Sequence, residues 1–413
     1  MTPLSTMPLT VLTDSDVRSL LLSLNRADIL DLQHNLAEAL HQYSTGTNEN
    51  GCCSLHQPQR TSISLKDGQT TLFMPASTST STGMKIVTLS DAKPTVPSSA
   101  SSILSGSTLT PSPSIASSQS TTPRGSLTLL DNTGTPLGLI NAEELTAFRT
   151  ALAATIILNR RSHVNTVTVF GAGKQAFWHI RIALLLRGHD IKHVNIINRS
   201  FARAQTLMQE LYSEDHHEWG SNTKFSILSS DFGEYHRLLK EEVRKADVLL
   251  CCTPSYEPLF PAEYLTATEG RKKGRFISAI GSYKPHMCEL HPDILRQAVT
   301  TAHHHHHHHK HAASEGVIVV DSLSSCMAEA GEIIQAGITP EQLVEVGELL
   351  MVKKAALKEV EKGGEGEKGL KNWLEKGNVI YKSVGLGLMD VCVGEDVCRM
   401  ARDRGVGTII ENF

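Results

Sequence analysis

The hydrophobic pattern changes character near residue 141. Before it, apolar positions come in short runs. Leu9-Thr10-Val11-Leu12 predicts a strand, and Thr13 or Asp14 caps a helix carrying Val17, Leu20 and Leu21. Thr61–Leu65 and Thr71–Met74 predict two strands joined at Asp67-Gly68, a hairpin signal. Met84–Val87 and Ser126–Leu130 predict two more, the second ending in the turn Asp131-Asn132-Thr133-Gly134. The first part is therefore expected to be mostly sheet with an N-terminal helix. After it, Asn141 with Glu144 marks a helix start, and Leu145, Phe148, Leu152 and Ile156 recur at helical spacing. Strands predicted at Thr166–Phe170, Val194–Asn198, Phe225–Ser229, Val248–Cys252, Phe276–Ile280 and Val317–Val320 then alternate with helices. Several are continuous apolar runs, as parallel strands covered on both faces require. The pattern predicts an α/β protein containing a doubly wound, Rossmann-type domain.

Three stretches stand outside this pattern. Val96–Pro123 has 19 Ser, Thr or Pro in 28 residues and no charge, so it is expected to be a disordered insertion. His303–His309 is a run of seven His followed by Lys310 and His311. It is read as a surface loop in preference to a metal site. Glu361–Gly369 is rich in Gly, Glu and Lys and is read as a mobile loop.

The length of 413 residues favours two or more domains. Lysine plus arginine less aspartate plus glutamate is 39 − 43 = −4, which gives no reason to expect a nucleic-acid partner. No apolar run approaches the roughly 20 residues needed to cross a bilayer, and MTPLSTMPLTVL lacks the cationic and apolar regions of a secretory leader. A cytoplasmic protein is expected. The eight Cys include the adjacent pairs Cys52-Cys53 and Cys251-Cys252 but no CxxC spacing. They are read as reduced thiols, with no metal site.

The strand Thr166–Phe170 runs directly into Gly171-Ala172-Gly173-Lys174-Gln175-Ala176 and then a helix that Gly188 ends. This is GxGxxA in the strand–turn–helix setting of a dinucleotide site. Gly171 allows the tight turn, Gly173 lets backbone approach a pyrophosphate, and Ala176 lets helix and strand pack. The next strand ends in Asn198-Arg199-Ser200, where an NAD-preferring site has an acid for the ribose 2′-hydroxyl. Arg199 instead suits a 2′-phosphate, with Arg203 one turn later. NADP(H) is thus favoured over NAD(H).

Arg149 lies on the apolar face of its helix, between Leu145 and Leu152. An inward Arg needs an anionic partner. Either a protein carboxylate or a substrate carboxylate held by the guanidinium fork would serve. Arg60 and Lys85 flank strands of the first part and, taken alone, read as solvated charges.

Together these segments resemble the ornithine cyclodeaminase/mu-crystallin family. The matching pieces are Gln57-Pro58-Gln59-Arg60, Phe73-Met74-Pro75, Gly83-Met84-Lys85-Ile86-Val87, Leu145–Ala151, the GAGKQA turn and Asn198-Arg199-Ser200. Cys252-Thr253-Pro254-Ser255, Gly281-Ser282-Tyr283-Lys284-Pro285 with Glu289-Leu290, Val320-Asp321-Ser322 and Lys382–Gly387 continue the series. The resemblance implies a Rossmann domain over 141–344, and a substrate and homodimerisation domain built from 1–140 and 345–413. It implies roles for Arg60, Lys85 and Arg149 around a substrate carboxylate and reacting centre. Ornithine cyclodeaminases carry an Asp soon after the Gly matching Gly281; here Ser282 and Tyr283 follow, with no acid before Glu289. The resemblance is therefore closest to the mu-crystallin-like ketimine reductase branch, with ornithine cyclodeaminase, alanine-type dehydrogenase and a non-catalytic NADPH-binding protein as alternatives. On the reductase reading, Arg149, with Arg60, holds a small imino-acid substrate and Lys85 is the proton donor or electrostatic orienter, its pKa lowered by neighbouring cations. Thr253 is expected near the nicotinamide, Ser282 and Asp321 in the substrate pocket, and Ser383 and Gly385 beside the cofactor.

Overall fold

The computed structural model describes residues 8–46, 57–65, 69–90, 123–213, 223–300, 317–350, 365–411 and 413. The seven-His run, Cys52-Cys53, the Asp67-Gly68 turn and the Ser/Thr-rich insertion up to residue 122 lie outside them, as does the start of the Gly/Glu/Lys-rich stretch.

Two sheets carry the architecture. The first runs β15(Thr408–Ile410), β1(Leu9–Leu12), β6(Pro136–Asn141), β5(Arg124–Asp131), β4(Ser81–Ser90), β3(Gln69–Ser77), β2(Thr61–Ser64) from edge to edge. Its neighbours are antiparallel except β1 and β6. The second sheet is parallel throughout, in the order β13(Leu343–Glu345), β12(Ile318–Val320), β14(Val379–Lys382), β11(Phe276–Ala279), β10(Val248–Cys251), β7(Thr166–Phe170), β8(His193–Ile197), β9(Lys224–Leu228). The chain is an α/β protein with a Rossmann-type parallel sheet and a separate, mostly β unit.

Local chemistry explains the joints. Thr13, not Asp14, caps α1(Asp14–Leu22): its hydroxyl accepts from Asp16 N at 3.2 Å, and Asp16 accepts from Thr13 N at 2.9 Å. Asn141 caps α3(Ala142–Leu158) by accepting from Glu143 N at 2.9 Å, so Glu144 closes no capping box there. Glu144 is instead buried, holding Trp178 Nε1 at 2.6 Å and Arg18 at 3.1 Å. The helix α3 is apolar nearly all round because α1, α2(Arg26–Thr45), α4(Lys174–Arg187) and the C-terminal helix (Gly387–Arg404) all pack on it.

The predicted split of the chain at 345 is corrected by the topology. β13 and β14 lie beyond or at that boundary yet complete the parallel sheet, β14 between β11 and β12. All four residues of Val379-Ile380-Tyr381-Lys382 are buried, a pattern that needs cover on both faces. Only after β14 does the chain return to the first sheet, through 383–386 and the C-terminal helix. That crossing builds one wall of the cleft.

Candidate active site

A cleft opens where the glycine-rich turn faces β3 and β4. Gly171 has φ +111°, and a Cβ there would sit 3.0 Å from the Cys252 carbonyl oxygen. Only glycine suits both the backbone and the space. Gly173 is different. Its φ of −114° is ordinary, and a Cβ there would meet nothing within 4 Å. Gly173 lines the cleft and begins α4, with no side chain capping the helix N-terminus. Free amides over open space fit a diphosphate. Gln175 also lines the cleft, with a buried Oε1 that has no partner among the described residues. Ala176 is fully buried against the sheet, and Ala172 is half-buried. Thus the turn fits a dinucleotide. A Gly173→Val variant is expected to keep the wild-type melting temperature within a few degrees yet lose NADPH binding by ~100-fold or more, read by cofactor fluorescence and thermal melting.

Lys174 also lines the cleft, but its ammonium is engaged by protein carboxylates. Its Nζ meets Asp14 at 2.7 Å, Glu144 at 3.0 Å and Glu143 at 3.4 Å, tying the turn to α1 and α3. At the end of β8, Asn198 Nδ2 donates to Ser200 O at 2.9 Å, and the Ser200 hydroxyl caps α5(Phe201–Tyr212) by accepting from Arg203 N at 3.3 Å. Arg199 and Arg203 are both exposed.

Across the cleft, Lys85 of β4 and Arg149 of α3 converge on one carboxylate. Asp390 Oδ1 accepts from Lys85 Nζ at 3.0 Å and from Arg149 Nε at 3.0 Å. Asp390 is fully buried in the first turn of the C-terminal helix, and its Oδ2 has no partner among the described residues. Lys85 and Arg149 both line the cleft. Arg149 turns Nη1 to the Met389 sulfur at 3.4 Å and Nη2 toward Gly385, where a Cβ would stand 3.0 Å away. Gly385, at φ +92°, is thus the glycine that lets the guanidinium lie flat. Sequence reasoning left two partners open for Arg149. The fold gives it a protein carboxylate through Nε and leaves the outer edge at the cleft.

Lys85 is pushed down to about 8, first by burial, with Arg149 and Arg60 adding to the shift and Asp390 opposing it. Desolvation thus outweighs the neighbouring cations as the cause. Arg60 also lines the cleft but is held by Glu329, Nε to Oε1 at 2.6 Å, and its second nitrogen meets the same carboxylate.

Two expectations are corrected here, those for Ser282 and Asp321. Ser282 is fully buried under the cleft, donating to Glu332 at 2.6 and 2.5 Å and receiving Lys382 Nζ. Its neighbours Gly281 and Tyr283 form the wall instead. Asp321 is also buried below. It accepts from Ser383 Oγ at 2.6 Å, Gly385 N at 2.7 Å and Ser322 N at 3.0 Å, so it fastens the 383–385 loop that lines the cleft. Thr253 sits between two cleft residues, Cys252 and Pro254, but its hydroxyl and amide both face Glu289, at 3.3 and 2.8 Å. A residue ending a parallel strand can point down into the protein as readily as up, and sequence does not say which. Glu289, the first acid after Gly281, also accepts from Gly281 N at 2.6 Å. It is fully buried, and desolvation pushes it up to about 7. The acid lining the cleft among the described residues is Glu143, which Lys174 holds. Asp390 was missed because it lies 241 residues from Arg149. The available signal was an acid set among apolar residues in the first turns of a helix, Gly387-Leu388-Met389-Asp390-Val391.

A Rossmann sheet whose glycine turn faces a buried Lys–Asp–Arg cluster on a second unit defines a dinucleotide-dependent class of protein. The profile of the ornithine cyclodeaminase/mu-crystallin family matches residues 11–404. The chain belongs to that family. It is 30% identical over 285 residues to an uncharacterized protein of Saccharomyces cerevisiae, covering 64% of this chain and 70% of the relative. It is 24% identical over 289 residues to a Delta(1)-pyrroline-2-carboxylate reductase of Bacillus cereus, covering 68% and 71%. The solved Delta(1)-pyrroline-2-carboxylate reductase of Thermococcus litoralis, in complex with NADH and L-proline, shares the fold with a TM-score of 0.65 at 20% identity, covering 97% of this chain and 99% of that one. No described helix is long and apolar enough to cross a membrane.

Proposed function

We propose that this chain is an NAD(P)H-dependent reductase of ketimine carboxylates. The observation that carries the reading is the placement of Lys85 and Arg149 on one buried Asp390, in the same cleft as the Gly171–Ala176 turn. Family membership and the reductase relative support it.

When bound, the nicotinamide supplies hydride to a C=N carbon. The chain's own residues do the rest. Arg149 offers Nη2 to the substrate carboxylate, with Nε anchored so that the fork has one orientation. Lys85, at about 8, is mainly protonated at neutral pH and can give its proton to the imine nitrogen. An iminium carbon is a better hydride acceptor than a neutral imine. The balance is hydride to carbon and proton to nitrogen: C=N becomes CH–NH while the cofactor is oxidised. Burial of Lys85 and Arg149 keeps both groups out of bulk water, where their fields would be screened.

The preference for NADP(H) rests on Arg199, exposed beyond β8 with no acid at the ribose position. An Arg199→Glu variant is expected to lower NADPH affinity by ~10-fold or more while sparing NADH, since a charged hydrogen bond is worth about 1.5–3 kcal/mol. Equal loss of both nucleotides would remove Arg199 from this role. Homodimerisation is supported by Met84 and Leu139, exposed on the sheet face opposite Lys85 and aligned across Thr128, with Ile63 exposed at the β2 edge.

The deciding assay follows NADPH oxidation with Δ1-piperideine-2-carboxylate, Δ1-pyrroline-2-carboxylate, and pyruvate plus ammonia. Oxidation with a cyclic imine is the expected result. Proline formed from ornithine with NAD, and no net NADPH change on any imine, would identify a cyclodeaminase instead. Tight NADPH binding without turnover would identify a binding protein.

A further inference from the structure

The face of β3 and β4 that looks into the cleft is only partly covered by the C-terminal helix. Under that helix, a Cβ on Gly83 would meet Val391 Cγ2 at 2.9 Å, and one on Gly387 would stand 3.2 Å from Ala76 Cβ and 3.0 Å from the Met74 carbonyl oxygen. The helix begins at Gly387, beside Met74. Past that point the same face continues. Lys85 pairs across the strands with Met74, Val87 with Leu72, and Leu89 lies two residues farther on. All five line the cleft.

Beyond Lys85 this strip is apolar. Met74, Val87 and Leu89 form a small cluster with Leu72 and Tyr283, separate from the two main cores. At about 3.4 Å per residue, Leu89 lies roughly 14 Å along β4 from Lys85. The charged groups at the margins of the strip are already engaged, including Arg60, which precedes β2 beside Met74. Glu143 is held by Lys174, and Arg60 by Glu329. No described acid on the strip awaits the distal amine of a diamino acid, and none of its residues would pair with a second carboxylate. Apolar wall left facing a cleft gains most from an apolar ligand that displaces its water.

We propose that the site takes ketimine carboxylates bearing an extended aliphatic or aromatic substituent, which lies along Leu72, Val87 and Leu89 while Arg149 holds the carboxylate. This rests on the ketimine-reductase reading above and specifies its substrate class.

The test is NADPH oxidation with ketimines formed in situ from excess methylamine and pyruvate, 2-oxohexanoate, phenylpyruvate or 2-oxoglutarate. The 2-oxohexanoate or phenylpyruvate ketimine is expected to exceed the pyruvate ketimine in kcat/KM by ~10-fold or more, because each methylene buried is worth about threefold to fourfold. The 2-oxoglutarate ketimine is expected to be poorest. Val87→Ser, and separately the milder Leu72→Ala at a half-buried position, should shrink that ratio severalfold, with intact NADPH binding reporting a folded protein. Preference for pyruvate or 2-oxoglutarate, or a ratio untouched in both variants, would overturn the proposal. The same four 2-oxo acids are also titrated against the NADPH complex by fluorescence. If no ketimine is reduced but apolar acids bind more tightly, the reductase reading fails and the apolar site stands; if binding shows no apolar order, the site assignment fails too.

Discussion

Replacing Lys85 by Met should lower kcat by about 10²–10⁴, the usual contribution of a positioned proton donor, with NADPH affinity unchanged. Met keeps an apolar stem of similar length and removes only the ammonium. The pH dependence makes the prediction specific. Burial holds Lys85 at about 8, so in the wild type kcat/KM for reduction should be level below that pH. It should fall about tenfold per pH unit above it, as the donor loses its proton. The Met variant should lose that limb. Asp390 works in the opposite sense to burial, raising the pKa of Lys85. An Asp390→Asn protein should therefore lose activity at a lower pH than the wild type. A merely structural Lys85 would leave the pH limb in place and alter stability instead. Activity profiles from pH 6 to 10, with a melting curve at each pH, decide between these.

Replacing Arg149 by Ala should act on KM. Losing the charge-assisted contact from Nη2 to a carboxylate costs about 1.5–3 kcal/mol, which is roughly a 10–10²-fold rise. NADPH binding should survive, because the glycine turn is across the cleft. The fold should survive as well, since Asp390 keeps Lys85 at 3.0 Å and is not left as an unpaired buried charge. A second consequence follows from the same triangle. Arg149 is one of the groups pushing Lys85 down, so its removal should move the alkaline limb to higher pH. Equal damage to substrate and cofactor binding would mark Arg149 as structural. A rise in KM with a shifted limb would mark it as the carboxylate anchor.

Glu289 bears on the reaction as well. It occupies the place in the chain where an acid first follows Gly281, yet it lies beneath the cleft, accepting from Thr253 N and Gly281 N. Its carboxylate fastens the loops after β10 and β11 rather than facing a substrate.

The sequence by itself determined those features whose cause is local. The apolar run of β10 is a buried strand because its residues have no polar side to turn to water. Gly171 and Gly173 mark the turn because a positive φ and an open approach are properties of single positions. Arg149 was conspicuous because a charge on an apolar helical face always needs an answer. Tertiary structure alone decided what that answer is. Asp390 reaches Arg149 and Lys85 only because β14 enters the parallel sheet and delivers the next helix back across the cleft. Whether Ser282, Thr253 and Asp321 point up into the cleft or down into buried carboxylate networks was likewise set by partners far along the chain: Glu332, Glu289 and the loop after Lys382. Burial is a collective property, so the lowering of Lys85 toward neutral pH exists only once β4, α3 and the C-terminal helix have closed around it.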